Sequence, residues 1–118
     1  MSWGSISNNN GLVVYQKALQ FVLVLYGVCE LLPPSEKENL TVLLKKAAVA
    51  VTTHISEGCK KTSTTEKIRF LRTAQGYLEE CGYYLNLTEQ LGYVDTASEK
   101  TELKRVSDLL AEYIDSLD

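Results

Sequence analysis

Three segments of the form Ser/Thr-x-x-Glu, each placed after a proline or a glycine, divide the chain into four apolar stretches. The segments begin at Ser35, Ser63 and Thr96. The preceding breaks are Pro33-Pro34, Gly58 and Gly92. In this spacing the hydroxyl accepts a backbone N–H of the first helical turn and the glutamate reaches back to the cap. Proline and glycine end the helix before it. The pattern therefore predicts helix ends and helix starts that alternate along the chain.

Between these breaks, apolar residues recur at spacings of three and four, which is the period of an α-helix with one buried face. In the first helix the predicted inner stripe is Tyr15, Ala18, Leu19, Val22, Tyr26 and Cys29. Short connections favour antiparallel neighbours. The predicted fold is therefore an all-α, antiparallel up-down-up-down four-helix bundle over residues 12–118. A flexible N-terminal leader is predicted for residues 1–11.

Composition agrees with one globular domain, because 118 residues with 45% apolar and 23% charged residues are typical of that class. The apolar run at residues 18–29 lacks a basic head and a small-residue cleavage site, and it is shorter than a membrane span. Cys29, Cys59 and Cys81 form no C-x-x-C pair, which favours reduced thiols. We expect a cytoplasmic protein without a membrane segment.

Residues 52–66, TTHISEGCKKTSTTE, hold the residue types of a catalytic or metal site. His54 and Glu57 share a helical face, but a metal centre in a bundle needs more ligands and the chain has one histidine. Cys59 as a thiol nucleophile would need His54 as its base, yet Gly58 separates the two. We therefore interpret the segment as the end of one helix and the start of the next, and we predict no enzyme activity, metal or cofactor.

Charge is divided unevenly along the chain. Residues 45–72 carry seven basic and two acidic residues, a net +5, whereas residues 73–118 carry a net −7. Clustered cations are typical of polyanion sites, which makes nucleic acid a candidate ligand. Solvated faces and ion pairs between subunits are the alternative. The predicted nucleic-acid-binding residues are Lys45, Lys46, Lys60, Lys61, Lys67, Arg69 and Arg72.

The first helix has a second unusual property, because residues 21–28, FVLVLYGV, are apolar on every face. A helix of this kind is usually covered on its outer side as well. We therefore predict a homo-oligomer whose interface includes Phe21, Val24, Leu25 and Val28.

Four segments of the chain resemble the four-helix-bundle proteins named after the intervening sequence of bacterial 23S ribosomal RNA: residues 12–22, 32–58, 60–80 and the LGYV of residues 91–94. The resemblance spans roughly residues 12–117. Residues of the turn between the second and third helices match the family position by position: Glu57, Gly58, Glu66, Arg69 and Phe70. Relatives include the accessory variability determinant of diversity-generating retroelements, a pentameric bundle that binds a reverse transcriptase and nucleic acid.

The resemblance implies a cyclic homopentamer without enzyme activity, in a bacterial cytoplasm. Two possible kinds of function remain. The first is that of a nucleic-acid-binding or reverse-transcriptase accessory protein, with RNA or DNA and a reverse transcriptase as partners. The second is that of a protein-interaction scaffold with no nucleic-acid role.

Overall fold

A computed structural model of the chain describes residues 9–117, and its side chains from residue 11 onward. It contains four α-helices and, within those residues, no strand: α1 (Asn9–Glu30), α2 (Leu40–Lys60), α3 (Thr64–Gln90) and α4 (Ala97–Ser116). The predicted all-α fold is confirmed. Most of the predicted leader lies outside the described residues, and α1 begins at Asn9.

The helices enclose one apolar core. α2 packs most extensively on α3. α1 packs on α2, α4 packs on α3, and α1 and α4 pack on each other. Each helix contributes large side chains that are completely buried: Phe21, Leu25, Leu44, Ile55, Leu71, Leu78, Leu85, Leu110 and Ile114. Burial of one such side chain contributes about 1.5–3 kcal/mol. The core therefore supplies the main stabilisation of the bundle.

The predicted inner stripe of α1 is partly wrong. Ala18, Val22 and Cys29 are buried as predicted, but Leu19 and Tyr26 are 40% and 38% exposed. The buried face instead includes Val14, Phe21, Leu25 and Val28. Because residues 21–28 are apolar on every face, the pattern of this segment does not distinguish one face from another, and packing against α2 and α4 selects the buried face.

Two of the three predicted caps differ from the structure in detail. The Ser63 side chain accepts the Glu66 backbone N–H at 3.3 Å, and α3 begins at Thr64, as predicted. Ser35 instead lies in a 3-10 helix, Pro34–Glu36, and α2 begins only at Leu40. There the Glu36 carboxylate, not the serine, accepts a helix N–H, that of Leu40 at 3.3 Å.

The third cap, Thr96, precedes α4 as predicted but uses its hydroxyl differently. Its Oγ1 donates to the backbone oxygen of Leu85 in α3 at 3.1 Å, and Asp95 Oδ1 accepts the Ala97 N–H at 3.0 Å. The Thr96 N–H donates to Glu89 at 3.2 Å. This hydrogen bond from the Thr96 backbone is the main reason why the pKa of the Glu89 carboxyl lies below its ordinary value, and the hydrogen bond from the Lys100 side chain is the second. The α3–α4 connection is thus fixed to α3 by side chains.

Gly58 has a different role from the one predicted. α2 continues through it to Lys60, and the positive-φ glycine among the described residues is Gly92, at 79°, where α3 ends. Gly58 is buried against α3, and a Cβ at this position would lie 3.1 Å from Phe70 Cβ and 3.2 Å from the Lys67 backbone oxygen. The glycine therefore permits close approach of α2 and α3.

We expect Gly58→Val to lower the free energy of unfolding by about 1–3 kcal/mol, because the added atoms overpack the α2–α3 contact. Gly76→Ala is the matched control. Gly76 is exposed within α3, and a Cβ there meets nothing within 4 Å. The Gly76→Ala substitution should raise the free energy of unfolding by roughly 0.5–1 kcal/mol, since alanine favours a helix more than glycine does. Urea titrations followed by circular dichroism measure both. A stabilised Gly58→Val variant would refute the close-approach role.

Gly11–Glu30 is long and apolar enough, by length and composition, to cross a membrane, and is longer than the run recognised in the sequence. A core helix of a bundle meets the same criterion. In this structure Ala18 and Leu25 of α1 are completely buried against the other helices, which favours the role of a core helix.

Candidate nucleic-acid interface

Lys67 does not belong to the predicted binding surface. It is 8% exposed, and its Nζ donates to the backbone oxygen of Cys59 at 3.0 Å. Cys59 lies in the last turn of α2, whose carbonyl groups have no partner within the helix and favour a cation. Lys67 therefore fastens the start of α3 to the end of α2, which corrects the sequence-based assignment.

Four of the other predicted cations lie at the end of α2 or within the first three turns of α3. We call Lys60, Lys61, Arg69 and Arg72 the junction cluster. Two of them contact one aromatic ring. Lys61 Nζ lies 4.7 Å and Arg69 Cζ 5.0 Å from the centroid of the Phe70 ring. Cation–π contacts at exposed sites contribute about 0.5–1 kcal/mol. The ring thus brings Lys61 of the α2–α3 connection and Arg69 of α3 to one place.

The junction cluster has few acidic partners. Among the described residues, Arg69 is its one member in a salt bridge, with Glu66 at 2.6 Å, and both side chains are exposed. An exposed pair of this kind contributes only about 0–1 kcal/mol, so an anionic ligand can replace it at little cost. The first turn of α3 is adjacent, and a helix N-terminus also favours anions. This end of the bundle is therefore suited to phosphate groups.

Lys45 and Lys46 stand apart from the junction cluster, since fourteen residues of helix place Lys46 about 21 Å from Lys60. The Lys45 Nζ lies 4.9 Å from the centroid of the Tyr26 ring of α1. Both lysines line a shallow depression with Tyr26 and Val49. The predicted cations other than the buried Lys67 therefore form two separate groups, the junction cluster and the pair Lys45 and Lys46.

The candidate catalytic residues do not converge. The Nδ1 of His54 lies 2.7 Å from the Ala50 backbone oxygen, and the ring packs 5.2 Å from Tyr77 and 6.2 Å from Phe70, between centroids. Cys59 is buried, with Sγ 4.0 Å from the Tyr113 hydroxyl, and burial raises the pKa of its thiol. A raised thiol pKa disfavours a nucleophile. Within the described part of the chain, no three His, Cys, Asp or Glu side chains gather as metal ligands.

The structure also corrects the predicted oligomer interface. Phe21, Leu25 and Val28 are 2%, 0% and 3% exposed in the single chain, so they belong to its own core. Val24, at 39%, is the member of the predicted set that reaches the surface. The more exposed apolar residues on α1 include Leu23 and Leu19, which sequence reasoning missed. Residues 21–28 contain no polar side chain that would mark the outer face around Leu23.

Comparisons with known proteins identify one family. The model of the 23S rRNA-intervening sequence protein family matches residues 10–114. No curated protein matches the chain. Among solved structures, the chain is similar to a protein with unknown function from the S23 ribosomal protein family of Bacteroides thetaiotaomicron VPI-5482. The TM-score is 0.80 at 20% identity, with 90% of this chain and 98% of the other covered, a likeness that establishes the fold alone.

Proposed function

Because this chain belongs to the 23S rRNA-intervening sequence protein family, we propose that it is a non-enzymatic accessory protein of the bacterial cytoplasm that binds RNA or DNA through the junction cluster. The observation that carries this proposal is the pair of cations on the Phe70 ring, Lys61 and Arg69. Lys60 precedes Lys61 in the chain, and Arg72 lies three residues after Arg69 in α3. The resemblance to retroelement accessory proteins makes a reverse transcriptase the proposed protein partner.

The cluster's chemistry suits the phosphate backbone better than base edges. Lysine presents a point charge, and the guanidinium of Arg69 presents a planar fork that matches phosphate oxygens. The rings of Phe70 and Tyr26 already carry cations, so base stacking on them would require those cations to move. The proposed binding is therefore electrostatic and independent of nucleotide sequence.

The proposal includes a cyclic homo-oligomer of up-down-up-down bundles, with five subunits implied by the family resemblance. Two observations support it. Gly11, at the start of α1, lies against Tyr113 near the end of α4 and Cys59 near the end of α2, as antiparallel neighbours require. Exposed apolar side chains on α1 favour a covering partner. Repetition of the junction cluster around a ring would raise affinity through multivalency.

The test is an anisotropy titration of a fluorescein-labelled single-stranded RNA of mixed sequence. With three to four phosphates neutralised in total, as for contact with one subunit, affinity should fall roughly 20- to 50-fold between about 50 and 200 mM salt. Lys60→Glu/Lys61→Glu should weaken binding at least tenfold and reduce the log–log salt slope by about 1.4, which corresponds to two lost contacts. Repetition with single-stranded DNA and duplex RNA identifies the preferred form.

The matched control is Lys104→Glu/Arg105→Glu, which changes charge equally on α4, in exposed ion pairs with Asp108 and Glu102. Its affinity should stay within about twofold of wild type, because these residues lie outside the junction cluster. Circular dichroism verifies that each variant is folded. The absence of wild-type binding at low salt, or equal affinity and slope in the junction variant, would refute the proposal and favour the scaffold alternative.

A further inference from the structure

One face of α1 and α2 combines exposed apolar side chains with two lysines that form no salt bridge among the described residues. On α1, Leu19, Leu23 and Tyr26 follow one another at spacings of four and three, and Leu23 is 66% exposed. On α2, Val42 and Val49 are exposed on either side of Lys45 and Lys46. The depression lined by Tyr26, both lysines and Val49 joins the two helices. We call these seven residues the basic–apolar face; Glu30 lies one turn beyond Tyr26.

A second exposed apolar surface lies near the end of α3 and carries the opposite charge. Tyr83 is 65% and Leu91 49% exposed, and Leu87 between them is half-buried. Glu79 and Glu80 are exposed on the preceding turn. The Tyr83 ring rests edge-on against Tyr84, 5.6 Å between centroids, which limits its freedom. We call Glu79, Glu80, Tyr83, Leu87 and Leu91 the acidic–apolar face.

The charges of these two faces are not neutralised within the chain. None of Lys45, Lys46, Glu79 or Glu80 takes part in the salt bridges formed among the described residues. A twofold contact of the basic–apolar face with itself would bring like charges together, which disfavours that arrangement. A contact between the two different faces pairs apolar with apolar surface and lysine with glutamate.

We infer that the basic–apolar face of one copy of this chain binds the acidic–apolar face of the next copy. This inference rests on the homo-oligomer in the proposed function and names its surfaces. A contact between two different patches of identical chains is heterologous, and it closes into a ring when the rotation between neighbours allows. The junction cluster lies outside both faces, so assembly leaves it open to nucleic acid.

The first test is cross-linking with a bifunctional maleimide. The double variant Val49→Cys/Tyr83→Cys should form a ladder of covalent multimers that ends at the number of subunits in the ring. Each single variant should form none, because a heterologous contact never places two copies of one patch together. Wild type controls for Cys29, Cys59 and Cys81, which are buried. Val49→Cys/Thr101→Cys is the matched control, since Thr101 is exposed on α4.

The second test is a charge exchange followed by light scattering. Lys45→Glu/Lys46→Glu and Glu79→Lys/Glu80→Lys should each raise the dissociation constant of the assembly at least tenfold. Their combination restores complementarity and should return the constant to within about threefold of wild type. Rescue of this kind distinguishes a direct contact from a general change in charge.

Several outcomes would overturn the inference. A dimer cross-linked through Val49→Cys alone would indicate a twofold contact. A wild-type oligomer without a ladder in the double variant would overturn these surfaces while leaving the oligomer intact. If light scattering gave the mass of a monomer at all concentrations, both these surfaces and the proposed homo-oligomer would be overturned. If Lys45→Glu/Lys46→Glu weakened RNA binding without changing the mass of the assembly, the ligand of the basic–apolar face would be nucleic acid. RNA binding through Lys60 and Lys61 is measured independently of all these results.

Discussion

Phe21→Ala should lower the free energy of unfolding by about 3–5 kcal/mol, whereas Leu23→Ala should change the stability of the single chain by less than about 0.5 kcal/mol. The two residues are neighbours in the same apolar segment. Phe21 is 2% exposed and its loss leaves a cavity in the core; Leu23 is 66% exposed and has few contacts to lose. The contrast tests which face of α1 the bundle buries.

Urea titrations at several protein concentrations measure this difference and also separate folding from assembly. Stability of an oligomer depends on concentration, because association favours the folded state. Phe21→Ala should lower the urea midpoint at every concentration. Leu23→Ala should mainly reduce the dependence of the midpoint on concentration, since it weakens the contact between copies. Equal losses for both variants at low concentration would contradict the observed orientation of α1.

Lys67→Glu should destabilise the protein by about 3–5 kcal/mol, because it removes a buried cation and places a buried anion beside the Cys59 carbonyl. Lys67→Met keeps the length of the side chain and should cost about 1–3 kcal/mol, the penalty for a buried acceptor without a partner. Arg72→Glu changes an exposed cation on the same helix and should stay within about 0.5 kcal/mol of wild type.

RNA affinity should follow the opposite order. Lys67→Met, measured below its unfolding transition, should bind RNA within about twofold of wild type, because the buried ammonium is not available to phosphate. Arg72→Glu should weaken binding and reduce the salt slope by about 0.7, the value for one contact to a single strand. An unfolding midpoint unaffected by Lys67→Met, together with weakened RNA binding, would return Lys67 to the binding surface.

The helix starts show how far local sequence was informative. Ser63 caps α3 through the N–H three residues later, and Gly92 adopts the positive φ that ends the same helix. Both interactions are complete within a few residues, so their pattern is visible in the sequence. Ser35 has the same spacing as Ser63, but Pro33 and Pro34 lead into a 3-10 turn and delay α2 until Leu40. A local pattern is thus overridden where neighbouring backbone restraints compete with it.

The candidate site was only partly predictable. The seven cations were recognised as a charged segment, but charge alone does not distinguish Lys67 from Lys61. Helical spacing does give a signal, because Lys67 lies four residues before Leu71 on the buried stripe of α3. Lys67 is buried because its helical position turns it toward α2, where the Cys59 carbonyl receives it. Lys61 remains at the surface against Phe70. The difference depends on the packing of one helix on another, which charge patterning does not contain.

The sequence by itself determined the number of helices, their order and the family, because caps, breaks and apolar periodicity act over one or two helical turns. Only the tertiary structure decided which face of α1 is buried, why Gly58 lacks a side chain and which cations reach solvent. Each of these properties depends on atoms from another helix. Phe21 is buried by the core that the other helices complete, Gly58 lies against Phe70 of α3, and Lys67 donates to the Cys59 carbonyl of α2. An all-apolar helix or a run of lysines presents equivalent choices locally, and only packing between helices makes them unequal.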